Sequence, residues 1–157
     1  MVLPITPAYP VIPMPVTIRA AAILVAAGAW DVAPLEFAVP GFEEGTLFVS
    51  YTRGAGGGAM DLQIQVSPYS ADQLVVQSWF PMSLYASGIL AAGSDTQSRT
   101  QREYITYQAT GAAIENFIHG PFSLARNIER IRVNCRESGV VGTPGTVHIV
   151  ALFGWGN

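Results

Sequence analysis

A chain of 157 residues is long enough to bury one hydrophobic core and short for two. Half of its residues are apolar and only 12% are charged, about half the usual charged share of ~25%. The net charge of −3 argues against a broad nucleic-acid-binding face, and the lone cysteine, Cys135, excludes an internal disulfide. So few charges imply either an unusually large core or an outer surface covered by partners. The second alternative is favoured, because the N-terminal segment and the loops are as apolar as the strands. All eight basic residues are arginine, which tolerates interfaces better than lysine; a GC-rich coding sequence would give the same bias.

The first fifteen residues carry Pro4, Pro7, Pro10, Pro13 and Pro15. Spacing this dense excludes helix and interior strand and favours extended, polyproline-like chain. The residues between the prolines are apolar (Val2, Leu3, Ile5, Tyr9, Val11, Ile12 and Met14), whereas a free tail is normally polar. Residues 1–16 therefore read as an arm that docks on a neighbouring subunit or on its own domain. The opening lacks a basic n-region and is broken by prolines, so no signal peptide is expected. The apolar run from Val16 to Ala29 is too short to span a bilayer. These features predict cytoplasmic synthesis and solubility until assembly, with no membrane partner.

From Thr17 onward, short β-like segments alternate with turns. Residues 17–26 mix helix-favouring alanines with strand-favouring Ile18, Ile23 and Val25 and are read as a strand; a second strand is expected around Leu35–Val39. The clearest pair follows. In one segment Leu47, Val49 and Tyr51 alternate with Phe48, Ser50 and Thr52; in the next, Met60, Leu62, Ile64 and Val66 alternate with Asp61, Gln63 and Gln65. The glycine-rich connection RGAGGGA predicts a hairpin with freedom for positive φ. A short helix near Ala71–Val76 is possible. SWFPMSLY is expected at a sheet edge because of Pro81, REYITYQ is a further strand, and Ile114–Ala125 reads as irregular. In ERIRVNCRE, Ile131, Val133 and Cys135 face inward and Arg130, Arg132, Asn134 and Arg136 outward; VHIVALF closes the chain. Many short strands with frequent turns predict an all-β antiparallel sandwich or jelly roll over residues 17–157.

Candidate chemistry is weak throughout. The GAGGGA loop lacks the lysine of a P-loop and the following helix of a dinucleotide site. Glu43–Glu44 reads as a solvated pair in a turn, and Glu103, Glu129 and Glu137 as outward salt-bridge partners of arginine rather than a glycosidase pair. There is no G-x-S-x-G elbow. His148 reads as a surface or interface strand residue and His119 as a loop residue; with Cys135 a core residue, no zinc cluster forms. The outward row Arg130, Arg132 and Arg136 needs neutralising, either by carboxylates of its own domain or by those of another subunit. Trp30, Trp79, Phe80, Tyr85 and Trp155 could line a sugar-binding cleft, though core and interface packing are commoner uses. No enzyme activity, catalytic residue, cofactor or metal site is therefore expected. The residues expected to meet partners are Leu3, Pro4, Ile5, Tyr9, Val11, Ile12, Met14, Arg130, Arg132 and Arg136.

The succession LFVSYTRGAGGGAMDLQIQVSPYSAD, a Trp-Phe-Pro strand, and the closing IRVNCRESGVVGTPGTVHIVALFG resembles small virion β-sandwich proteins of tailed bacteriophages. The resemblance covers roughly Thr46 to Phe153 and rests on turn and strand signatures. It implies a homo-oligomer, a trimer favoured, seated on the outer capsid lattice as a decoration (cement) protein in contact with the major capsid protein. It carries no catalytic residues over, and the arm lies outside it. A tail or fibre component and a carbohydrate-binding module are the alternatives.

Overall fold

A computed structural model describes residues 15–25, 28–55, 58–73, 79–82, 104–111, 113–138 and 142–155. The arm residues Val2 to Met14, together with Tyr85 and Glu103, lie outside them. Among the described residues every regular element is a strand: β1 (Val16–Ile23), β2 (Glu36–Ala38), β3 (Glu44–Thr52), β4 (Ala59–Ser67), β5 (Phe80–Pro81), β6 (Ile105–Tyr107), β7 (Ile114–Ser123), β8 (Arg130–Ser138) and β9 (Thr146–Gly154). The first sheet runs β1-β9-β3-β7. The second runs β2-β8-β4, with β5 and β6 both pairing to β4; all pairs are antiparallel. Of the segment expected to form a short helix, Ala71 and Asp72 form a turn, and its last three residues lie outside the described set.

The core lies between the two sheets, as the period-2 alternation demands. Leu47, Val49 and Tyr51 of β3 and Val147, Ile149 and Ala151 of β9 come from the first sheet. Met60, Leu62 and Ile64 of β4 and Ile131, Val133 and Cys135 of β8 come from the second; all are buried. Each large aliphatic side chain removed from water contributes about 1.5–3 kcal/mol before the entropy of ordering is set against it. Pro81 sits on β5 at the edge of the second sheet, where its missing N–H disturbs no central ladder.

The glycine-rich connection is not a hairpin. β3 belongs to the first sheet and β4 to the second, so RGAGGGA carries the chain across the sandwich. The alternation of both strands remains as read, because two strands facing each other across a core show the same inward pattern as two paired side by side. The β8–β9 connection crosses the same way, and the two crossovers pack together. The Ala55 carbonyl accepts the N–H groups of Gly142 and Thr143 at 2.9 and 3.2 Å. A Cβ on Gly54 would lie 1.7 Å from the Thr143 carbonyl oxygen, so this glycine is required by close backbone approach.

Glu137 closes that end of the core. It continues the inward alternation of Ile131, Val133 and Cys135, and its side chain is fully buried, not outward beside the arginines as expected. Tyr51 donates its hydroxyl to Glu137 Oε1 at 2.9 Å, and the Gly145 N–H donates to Oε2 at 2.9 Å. Burial first, and then the Glu137 carboxylate, push the Tyr51 hydroxyl well above the usual tyrosine range, keeping it a donor. A Cβ on Gly145 would meet the Thr52 oxygen at 2.5 Å and Tyr51 Cε2 at 2.6 Å.

A second tie joins the sheets at β1. Arg19 places Nε and Nη2 on the two Asp31 oxygens at 3.1 and 3.0 Å, and its Nη1 donates to the Val147 carbonyl at 2.9 Å. Asp31 Oδ2 also accepts the Cys135 N–H at 3.0 Å. Finally, Ile114–Ser123 is not irregular: it is the edge strand β7, paired along β3. Its outward isoleucines and its Gly120–Pro121 step mask the alternation, and an edge position tolerates the proline.

Tyr51→Phe removes one of two bonds to a buried carboxylate and is expected to cost about 1–3 kcal/mol in urea unfolding. Ser50→Ala, which loses an exposed bond to Asn116, is expected to stay within about 0.5 kcal/mol.

Candidate functional site: two outer sheet faces of opposite chemistry

The outer face of the second sheet carries the arginine row, and its neutralisation is found within the chain. Arg130 Nη1 lies 2.7 Å from Glu36 Oε2, Arg132 Nη1 3.9 Å from Glu36 Oε1, and Arg136 Nε 2.9 Å from Asp61 Oδ2. Arg132 Nε also donates to Gln65 Oε1 at 2.6 Å, and Thr106 Oγ1 to Asp61 Oδ1 at 2.7 Å. These are not the carboxylates the sequence suggested. Glu137 is in the core, Glu103 lies outside the described residues, and no ion pair of Glu129 occurs among them. Cross-strand register explains the choice, because Glu36 stands opposite Arg132, and Asp61 opposite Arg136.

Two tryptophans cap the row. Trp79 lies under both Arg130 and Arg132, with guanidinium carbons 4.9 and 4.3 Å from its ring centroid; Arg136 lies 4.3 Å from Trp30 and 5.0 Å from Tyr104. Desolvated contacts of this kind are worth about 0.5–2 kcal/mol each. Burial under these rings lowers the Arg132 pKa, with Glu36 opposing that shift. The arginine side chains are only 11%, 22% and 24% exposed, so much of their hydrogen-bonding capacity is spent internally. Trp30 and Trp79 are engaged in the same packing rather than standing free as a sugar platform. Trp155 stacks on Phe42 at 4.9 Å yet stays half exposed, and Phe80 lies exposed on β5.

The outer face of the first sheet is the reverse. Register aligns Ile118, Phe48, Val150 and Thr17 in one row across β7, β3, β9 and β1. Asn116, Ser50 and His148 form the next row, then Ile114, Thr52, Thr146 and Ile23. These three rows hold no carboxylate and no arginine. Ile118, Ile114 and Ile23 are 68%, 67% and 66% exposed, and Phe48 38%. Sequence reasoning missed this face because β7 was not read as a strand. The signal was faint: Ile114 and Ile118 are strand-favouring residues on one face, but Asn116 stands between them.

Groups able to do chemistry are dispersed. Cys135 is buried, and its thiol is pushed far above the usual range by burial and then by Asp31. Glu43 accepts from exposed Arg126 at 2.7 Å. His148 lies on the outer face of β9 opposite Ser50. His119 is not in a loop but on β7, opposite Leu47 and stacked on Phe122 at 6.0 Å. No group of three potential metal ligands occurs among the described residues.

Burial lowers the His119 pKa, and its Nε2 is buried without a hydrogen-bond partner among the described residues. The unfolded chain, with a histidine pKa near ~6.5, therefore takes up the proton first. The stabilising contribution is present above that value and lost as pH falls toward the lower folded pKa. Thermal midpoints measured from pH 7 downward should decline for the parent chain, and the decline should be shallower in His119→Gln. Parallel curves would show that His119 is not the group involved.

Compared with protein-family models, curated proteins and solved structures, the chain matches none.

Proposed function

We propose that this chain is a structural virion protein of a tailed bacteriophage, a jelly-roll-type sandwich that decorates the outer capsid lattice and stabilises it through contacts with the major capsid protein and with copies of itself. The observation that carries this reading is the part of the first sheet's outer face from Phe48 to Thr52, which holds no carboxylate or arginine and is centred on the Ile118–Phe48–Val150 row. Large apolar side chains exposed together, here Ile118, Ile114, Ile23 and Phe48, mark surfaces meant to be covered. The proline-rich, uncharged N-terminal arm and the low overall charge support the same reading, as does the resemblance of the segments from Thr46 to Phe153 to phage virion sandwiches. The face crosses four strands, which suits a broad contact with another protein better than a small molecule.

The arginine–tryptophan face takes a supporting role in this reading. Its side chains are fixed by internal pairs, so their remaining donors present a rigid pattern that sets register against an acidic neighbour. A tail or fibre position would use the same two faces, and the location of the protein on the particle separates the two. The carbohydrate-binding alternative loses support from the packing of Trp30 and Trp79 against arginine.

The test is decoration of purified shells that lack this protein. Deleting residues 1–15 and, separately, replacing Phe48 with aspartate should each leave the circular dichroism of a folded sheet protein. Each should weaken shell binding roughly tenfold or more, the loss expected when about 1.5–3 kcal/mol of apolar burial is removed. Variants that decorate shells as tightly as the parent would overturn the proposal.

A further inference from the structure

Among the described residues β1 is an edge strand of the first sheet, and an open groove of about 280 Å³ lies beside it. Ile18, Ala20, Ala22, Val32, Pro34 and Leu35 line it. Ile18 is fully buried at the floor, while Val32 and Leu35 on the rim are 92% and 56% exposed. The one charged pair in the groove, Arg19 with Asp31, is closed on itself and on the backbone of Val147 and Cys135. What remains on offer is small, apolar side chains beside an irregular strand edge. Eight residues of β1 run against six of β9, so β1 is bulged twice; such an edge resists regular strand addition by another chain. An occupant without a full set of backbone donors and without charge fits it best.

The chain itself supplies such a segment. Between Met1 and Ile18 there is no charged side chain, and five prolines remove N–H groups at intervals of two or three residues. A polyproline-like strand of this kind loses little entropy on docking. At ~3.1 Å per residue, fourteen residues reach about 43 Å. The direction of exit decides whose groove it fills. The chain enters β1 at Val16, opposite Ala151, and the groove lies further along, around Ala20 and Ala22. For the arm to fill its own groove, it would have to reverse just before Val16. A residue before proline avoids the helical backbone region that a tight reversal uses, and the sequence puts that restriction just ahead of Val16, at Pro13 and Pro15.

We infer that this groove receives the proline-rich arm, residues 2–14, of a second copy of the chain. The inference rests on the proposed assembly role and deepens it by naming both the partner and its seat.

Cross-linking in the full-length chain tests it. One preparation carries a cysteine in the arm (Ile5→Cys, Tyr9→Cys or Ile12→Cys in turn), and a second, with a size tag, carries Val32→Cys on the rim. Cys135 stays silent because it is buried. After mixing, a bismaleimide should join the two different preparations at one or more arm positions, well above the yield with Asp72→Cys, in an exposed turn away from both the groove and the first sheet's outer face, as the control partner. Adding Ala22→Arg to the rim variant should return the yield to that control level. In the doubly substituted chain, cross-linking confined to single molecules would overturn exchange in favour of self-docking, and no cross-link at any arm position would overturn the groove altogether. Cross-linking as expected in a protein that fails to decorate shells would leave arm exchange standing and remove the capsid role; decoration without these cross-links would do the opposite.

Discussion

The buried carboxylate of Glu137 holds together two of the places where the chain changes sheets, the β3–β4 and β8–β9 crossovers. It lies near the end of β8, accepts from Tyr51 at the end of β3, and accepts from the Gly145 N–H just before β9. A carboxylate removed from water is costly unless it is hydrogen-bonded, so the three segments have to meet in one arrangement. That arrangement sets β3 beside β9 in one sheet and β4 beside β8 in the other. Both crossovers then pack at the same end, where the absence of side chains on Gly54 and Gly145 lets backbones approach. The Arg19–Asp31 fork repeats the device at the β1 edge, tying that strand to β8 through the Cys135 amide.

The scarcity of charge acquires a structural meaning from these ties. Of eight arginines, Arg19, Arg130, Arg132 and Arg136 pair with Asp31, Glu36 and Asp61 inside the domain. These four arginines fix the fold and stiffen one sheet face, with Trp30 and Trp79 stacked against it. The central rows of the opposite face hold Ile118, Phe48, Val150, Ile114 and Ile23 among Thr17, Asn116, Ser50, His148, Thr52 and Thr146. A domain so arranged has one polar face tied by ion pairs, one face whose central rows lack ionised side chains and expose four large apolar ones, and an apolar groove along β1. Surfaces of three different kinds on one small sandwich are what a protein needs to contact several neighbours at once.

Much of this was readable from residue order. Alternation in β3, β4, β8 and β9 gave the inward residues, and Pro81 gave an edge. Alternation says which side of a strand faces the core but not which strand lies beside it, so the RGAGGGA connection read as a hairpin when it is a crossover. Glu137 stands in phase with Ile131, Val133 and Cys135, yet its charge drew it toward the arginines in the sequence reading. The partners it acquires, a tyrosine hydroxyl on β3 and the N–H of Gly145 just before β9, are invisible locally. β7 was hidden for a related reason: its isoleucines point outward, so its pattern does not resemble a strand half buried in its own domain. The outward isoleucines and the exposed Phe48 are the least expected features of the fold for a free domain and the most informative about use.

The central claim is that the chain associates through its uncharged surfaces. Multi-angle light scattering of the full-length protein across a concentration series measures this most directly. The account predicts a species of defined multiple of the 16.7 kDa chain mass, a trimer favoured. A monomer at every concentration would contradict it.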